Sequence, residues 1–362
     1  MGAAWCVVRH AAQPRARDLS KFFPERRAVA VHGHSARARR VMTATRLHYR
    51  SAPDVTPAAL RHAALEGLRA TPKTLPAALF YDARGAALFE EITQLPEYYL
   101  TRTEHSILRA HASDLADRIG ANAAIIEFGS GAAIKVRYLL SALRDACAYV
   151  PVDVSREQLH AGAAERALKF PDVPILPVWA DYTEPFDLPE MPEGARRVGF
   201  FPGSTIGNLH PDEASAFLRR VRDCVGDDGG LILGVDRRKD PRLLHAAYND
   251  AAGVTAEFNL NVLTHLNREF RATFSRERFQ HRACFNVRAS RIEMHFEALS
   301  PQHVLLDGES IAFAAGETVR TECSYKYDRA RLDAVVSAGG FRVAELFTDA
   351  LQWFWVAWLE PA

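Results

Sequence analysis

Residues 123–131 read AAIIEFGSG, an apolar run broken only by Glu127 that passes straight into Gly129-Ser130-Gly131. Such a run followed by glycines predicts a strand buried on both faces that hands over to a tight turn. The same pattern recurs downstream in AYVPVD ending at Asp153, ILPVWAD ending at Asp181, RVGFFP ending at Pro202 and LILGVD ending at Asp236. Segments with helical periodicity, 135–144, 156–169 and 211–224, lie between these runs. Apolar strands separated by helices predict a parallel sheet covered on both sides, a doubly wound α/β domain.

The alternation stops after Asp236. The stretch KDPRLLHAAYNDAAGVTAEFNLNVLTHLNREF carries helical spacing, and the chain from there to Lys326 alternates like antiparallel strands around Asp307-Gly308 and Gly316. One more helix is expected over 329–338, and FRVAELFTD and LQWFWVAWL then predict a C-terminal antiparallel hairpin at the sheet edge. Upstream, 58–69 and 106–119 read as helices. Pro72, Pro76, Gly85 and Pro96 divide the segment between them into turns around Phe80-Tyr81 and Tyr98-Tyr99. An α/β domain interrupted after its fifth strand by an α+β insertion follows, with the N-terminal aromatic loops assigned to the inserted part.

The 362 residues are 48% hydrophobic and 25% charged with a net charge of +1, so nothing in the total favours nucleic acid or an anionic membrane as partner. A small neutral or zwitterionic ligand fits better. Five scattered cysteines without a C-x-x-C pair, and no His at ligand spacing, predict reduced thiols and no metal. No window resembles a spanning helix or a signal-peptide core, which predicts a cytoplasmic protein. Residues 1–52 differ in composition: Arg9, Arg15, Arg17, Arg26, Arg27, Arg37, Arg39, Arg40, Arg46 and Arg50 face only Asp18 and Glu25. A disordered basic leader explains this, and a transit peptide shares the composition.

The candidate chemistry sits at the strand ends. Glycines at 129 and 131 let backbone approach a nucleotide. Asp153, at the end of the second strand, is placed to accept hydrogen bonds from both ribose hydroxyls of a nucleoside, and Asp181-Tyr182 ends the third. Ala132 and Ala133 stand where a dinucleotide fingerprint needs its third glycine, which favours S-adenosylmethionine over NAD. Lys135 is placed to neutralise the cofactor's carboxylate. The loop Gly203-Ser204-Thr205-Ile206-Gly207-Asn208 offers backbone groups and an amide for a zwitterion.

The stretches PKTLPAALFYD, LFEEITQLPEYYLTRTE, EFGSG, PVDVS, FFPGSTIGN, GVDRRKD, AYNDAAGVTAEFN, RIEM and TECSYK cover nearly everything from about residue 64 onward. Together they resemble the histidine Nα-methyltransferases of ergothioneine biosynthesis. The resemblance implies a class I, Rossmann-like S-adenosylmethionine-dependent methyltransferase domain over 105–237 and 329–362, with a substrate domain formed from 53–104 and 238–328. It implies that Gly129, Lys135, Asp153, Asp181 and Tyr182 contact the cofactor. By the same likeness, Tyr98, Asn208 and Tyr248 hold the substrate carboxylate. Glu322 and Ser324 bind the imidazole, Met294 packs on the ring, and Tyr81 with Gly203 and Thr205 lies near the α-amine. Ala86 departs from the family, where a serine is common, and the basic leader is extra.

The set makes chemical sense, because a neutral imidazole presents one donor and one acceptor. A carboxylate and a hydroxyl two residues apart on a strand share a face and meet both ring nitrogens. The expected reaction is three methyl transfers to the α-amine of free L-histidine, giving Nα,Nα,Nα-trimethylhistidine (hercynine) and S-adenosylhomocysteine, with Tyr81 or a water carrying the proton away. The expected enzyme is a monomer. The competing expectations are methylation of another amino acid or small amine, and a non-catalytic protein that binds histidine or S-adenosylmethionine.

Overall fold

A computed structural model describes residues 57–131 and 134–362, and the basic leader lies outside the described residues. The chain begins with α1 (Pro57–Arg69), a two-residue β1 (Lys73–Thr74), a 3₁₀ turn (Ala77–Phe80), α2 (Ala83–Gln94), α3 (Tyr99–Ala110) and α4 (Ala112–Ile119). It continues through β2 (Ala123–Phe128), α5 (Val136–Ala142), β3 (Ala148–Asp153), α6 (Arg156–Lys169), β4 (Val178–Trp179) and β5 (Arg196–Phe201). A 3₁₀ turn (Thr205–Asn208), α7 (Pro211–Val225) and β6 (Gly230–Asp236) follow. Next come α8 (Pro241–Tyr248), α9 (Val254–Phe270), β7 (Phe279–Asn286), β8 (Arg291–Ala298), β9 (Gln302–Leu306), β10 (Glu309–Phe313) and β11 (Thr318–Tyr325). The chain closes with α10 (Arg329–Ala338), β12 (Phe341–Thr348) and β13 (Phe354–Pro361).

Seven strands form one sheet in the order β12-β13-β6-β5-β2-β3-β4. Strands β2 to β6 run parallel, and β13 is antiparallel to both β6 and β12. Every residue of β2, β3 and β6 is buried, as continuous apolar runs require of strands covered on both faces. The order reverses at β2, which has β3 on one side and β5 on the other. A crevice therefore opens at the carboxyl ends of β2 and β5, where ligands of open α/β sheets bind.

A second sheet, β1-β11-β8-β7, packs against α8 and α9. Ile292, Met294, Phe296 and Val319 bury against Phe258 and Val262 of α9 in one apolar core. Strands β9 and β10 form a separate hairpin turned by Asp307 and Gly308, both at positive φ, the backbone that a two-residue hairpin demands.

Three elements differ from expectation. The turn-rich segment contains α2, because Asp82 caps it by accepting the Gly85 N–H at 2.7 Å. Gly85 is there for clearance, since a Cβ on it would stand 1.7 Å from the Phe80 carbonyl oxygen. The helix expected over 106–119 is two helices meeting at His111. The third strand shrinks to Val178–Trp179, since Pro174 and Pro177 beside it offer no N–H to the ladder. Among the described residues no helix is long and apolar enough to cross a membrane.

Candidate active site

The end of β2 and the end of β3 are stitched together. The N–H groups of Gly129 and Ser130 both donate to the Val152 carbonyl, and Gly131 N–H donates to Asp153 Oδ2 at 2.8 Å. Asp153 Oδ1 takes the Ser155 N–H, also at 2.8 Å. Burial pushes the Asp153 carboxyl up, and these backbone donors pull against that shift. Gly129 sits at φ +69°, and a Cβ on it would meet the Tyr182 ring at 3.2 Å. That ring is held edge-on by Phe201 and Phe217. Asp181 Oδ1 caps its own turn, accepting from the Thr183 N–H and hydroxyl. The buried Ser130 Oγ has no hydrogen-bond partner among the described residues. A turn with a glycine on either side of Ser130, the orphaned hydroxyl of that serine and the buried Asp153 carboxylate fit the carboxylate and ribose ends of S-adenosylmethionine.

Lys135, the residue before α5, pairs with Glu104 of α3. Glu104 is 1% exposed, and both its oxygens accept the Gly203 N–H, at 2.8 and 2.9 Å. Gly234 makes room for this carboxylate, because a Cβ there would lie 2.2 Å from Glu104 Oε1. Ser204 follows in the left-handed region at φ +57°, and its Oγ accepts the Asp236 N–H at 2.9 Å. Thr205 Oγ1 donates to the Pro202 carbonyl. The loop after β5 is thus clamped between α3 and β6.

On the other wall, Tyr248 ends α8 and donates its hydroxyl to Ser324 Oγ of β11 at 2.9 Å. Tyr98 precedes α3 and packs edge-on against Tyr248, with ring centroids 6.2 Å apart. Met294, buried on β8, lies opposite Glu322 in the β8–β11 pair. Burial pushes the Glu322 carboxyl up to about 7, against the pull of Lys326. Asn208 and Glu322 line one cleft of about 310 Å³ together with His210 and Arg320.

Tyr81 joins the two walls. The residue is 48% exposed, yet the protein around its hydroxyl desolvates it. Desolvation there raises its pKa, as do the negative charges of the Glu322 and Asp153 carboxylates. Of the residues expected from sequence, Asn208 and Glu322 thus share one cleft, and Tyr81 lies within electrostatic reach of Glu322, Tyr182, Asp153 and Tyr248. Four buried groups behind them escaped the sequence reading: Glu104, Glu127, Asp236 and Lys326. Glu127 accepts the Tyr149 hydroxyl beneath the glycine turn, and burial pushes it up to about 8. Glu127 and Asp236 show in the sequence as charges within or ending an apolar run, whereas Glu104 and Lys326 sit among polar neighbours; all four stand in quoted motifs, those containing TRTE, EFGSG, GVDRRKD and TECSYK. Cys284, Glu293 and His295 gather on the sheet face away from Met294, but Arg291 already holds the Glu293 carboxylate at 2.6 Å.

The model of the family described as "Histidine-specific methyltransferase, SAM-dependent" matches residues 60–361. Histidine N-alpha-methyltransferase of Mycolicibacterium smegmatis is 42% identical over 314 residues, 85% of this chain and 96% of that one. Its namesake in Mycobacterium tuberculosis is 41% identical over 80% of this chain and 91% of its own length. Ergothioneine biosynthesis protein 1 of Neurospora crassa is 39% identical over 54% of this chain and 23% of that longer protein. With that match running through both sheets and every segment of the crevice, this chain belongs to the histidine-specific, S-adenosylmethionine-dependent methyltransferases, on a class I methyltransferase fold.

Proposed function

We propose that this enzyme methylates the α-amino group of free L-histidine three times, yielding Nα,Nα,Nα-trimethylhistidine. The observation that carries this reading is the placement of Glu322 and Ser324 on one face of β11, opposite Met294 and beside Tyr248. A carboxylate acceptor and a hydroxyl donor match the N–H and the lone pair of a neutral imidazole. A phenyl or indole ring would leave Glu322 unpaired, so histidine is preferred.

In this reading Gly129, Asp153, Asp181 and Tyr182 hold the nucleoside part of S-adenosylmethionine, and Lys135, already paired with Glu104, faces its carboxylate. When bound, that donor supplies an electrophilic sulfonium methyl. Tyr98, Asn208 and Tyr248 hold the histidine carboxylate, and Gly203, Thr205 and Tyr81 surround the amine. The carboxylate of free histidine holds its α-ammonium above the value of about 8 found at a peptide terminus, so the amine must lose a proton to water before it attacks. The raised pKa of Tyr81 keeps it a phenol, so its oxygen accepts a hydrogen bond from the amine, orients it, and leaves the proton to water. The substrate domain in this scheme comprises 53–104 and 238–328.

The test is mass spectrometry of the purified protein incubated with S-adenosylmethionine and the twenty amino acids in equal amounts. Three methyl groups added to histidine alone is the expected result. Methylation of another amino acid would sink the substrate assignment, and a histidine product stopping at one or two methyls would sink the trimethylation.

A further inference from the structure

Directly after β11 stands Lys326, 1% exposed. Its ammonium contacts Asp236 Oδ2 at 2.9 Å and donates to the Tyr248 hydroxyl at 3.0 Å and to Ser324 Oγ at 2.9 Å. An ammonium has three N–H groups, and these contacts use all of them. Burial is the largest single effect and opposes its charge, but Asp236 and Tyr248 together outweigh it and keep the ammonium protonated. Asp236, itself fully buried, is further tied to Lys239 and to the Tyr99 hydroxyl.

Counting lone pairs gives the consequence. Ser324 Oγ accepts from both Lys326 and Tyr248, so both its lone pairs are filled and its own proton must point elsewhere. Were the Tyr248–Ser324 bond reversed, the free proton would be that of Tyr248. Either way the pair offers a donor to the crevice, and a positive charge stands behind it. We infer that Lys326 is a positioning and specificity-determining residue: it turns the Tyr248–Ser324 pair into a donor of one proton to the amino-acid substrate, from Ser324 to the bare ring nitrogen or, with the bond reversed, from Tyr248 to the carboxylate. This rests on the histidine reading above. Glu322 takes the N–H of the ring and Ser324 faces its lone pair, so a doubly protonated imidazolium is disfavoured.

The experiment is calorimetric titration of K326M, in which Asp236 keeps Lys239 as its partner, and of K326M/D236N/K239M, which removes Asp236 with both its lysines and covers the case in which the single variant does not fold. S-adenosylhomocysteine should bind each folded variant within about threefold of wild type, while histidine, titrated with S-adenosylhomocysteine present, should bind about 30-fold more weakly. S324A should weaken histidine binding about tenfold in wild type but less than about threefold in K326M, because both changes disable one unit. A folded variant that binds histidine within threefold of wild type would overturn the inference, as would fully multiplicative losses. Wild type that fails to bind histidine would instead overturn the functional reading on which the inference rests.

Discussion

Glu322 lies across from Met294 because the β8–β11 register shifts between Arg320 and Glu322, leaving Thr321 as an extra residue in β11. Side chains alternate with period two along a strand, so an unbroken ladder would have put Glu322 on the face of Arg320 and His295. The bulge moves Glu322 and Ser324 to the face that carries Met294. Thr321 is pinned there by donating to Asn259 Oδ1 at 2.6 Å and to the Met294 carbonyl at 3.1 Å.

Glu322 should cost the empty enzyme stability. Its native pKa is raised from 4.5 to about 7, so between those values the folded state binds more protons than the unfolded one, and stability falls as pH rises. Urea unfolding should find E322Q about 1–3 kcal/mol more stable than wild type at pH 8 and nearly equal to it at pH 4. Histidine binding should weaken in the same variant. An unchanged stability difference between the two pH values would show that Glu322 ionises normally.

Gly129→Ala places a methyl group against Tyr182 on a backbone that disfavours any side chain. A loss of about 1–3 kcal/mol in folding stability is expected, with S-adenosylhomocysteine binding weakened at least tenfold, roughly 1.4 kcal/mol. Calorimetry at fixed histidine concentration measures the second effect.

Tyr81→Phe should lower kcat by roughly three- to tenfold, the loss of one hydrogen bond, without altering the shape of the pH profile between 6 and 9. A vanished alkaline limb would restore Tyr81 as the group that takes the proton.

Glu104→Ala strands the Lys135 ammonium and the Gly203 N–H. Because Lys135 keeps some contact with solvent, the expected destabilisation is about 2–4 kcal/mol rather than the full cost of an isolated buried charge. Denaturant midpoints check the stability. KM for S-adenosylmethionine should rise more than KM for histidine.

Strands β2, β3, β5 and β6 were legible because a doubly covered strand must be apolar throughout, and the positions of Gly129 and Asp153 because each stands at the end of such a run. Helix α2 was hidden because Gly85 reads as a breaker, and only the Phe80 carbonyl against it explains its presence. The Thr321 bulge has no local signature. It is held by Asn259 on α9, a residue distant in sequence. Asp236 shows as a charge ending an apolar run, whereas Glu104 and Lys326 sit in polar stretches, and which charge meets which is decided by the packing of α3, β6 and β11.

The position of β13 has a consequence for how the molecule is made. It sits between β12 and β6 in the sheet, yet it is the last strand in the chain. Until those residues leave the ribosome, one edge of β6 has no ladder partner, although the whole second sheet has already been synthesised. An apolar strand with an open edge invites pairing with other chains. The seven-stranded sheet is therefore completed after the second sheet and is the more exposed of the two to misassembly during synthesis.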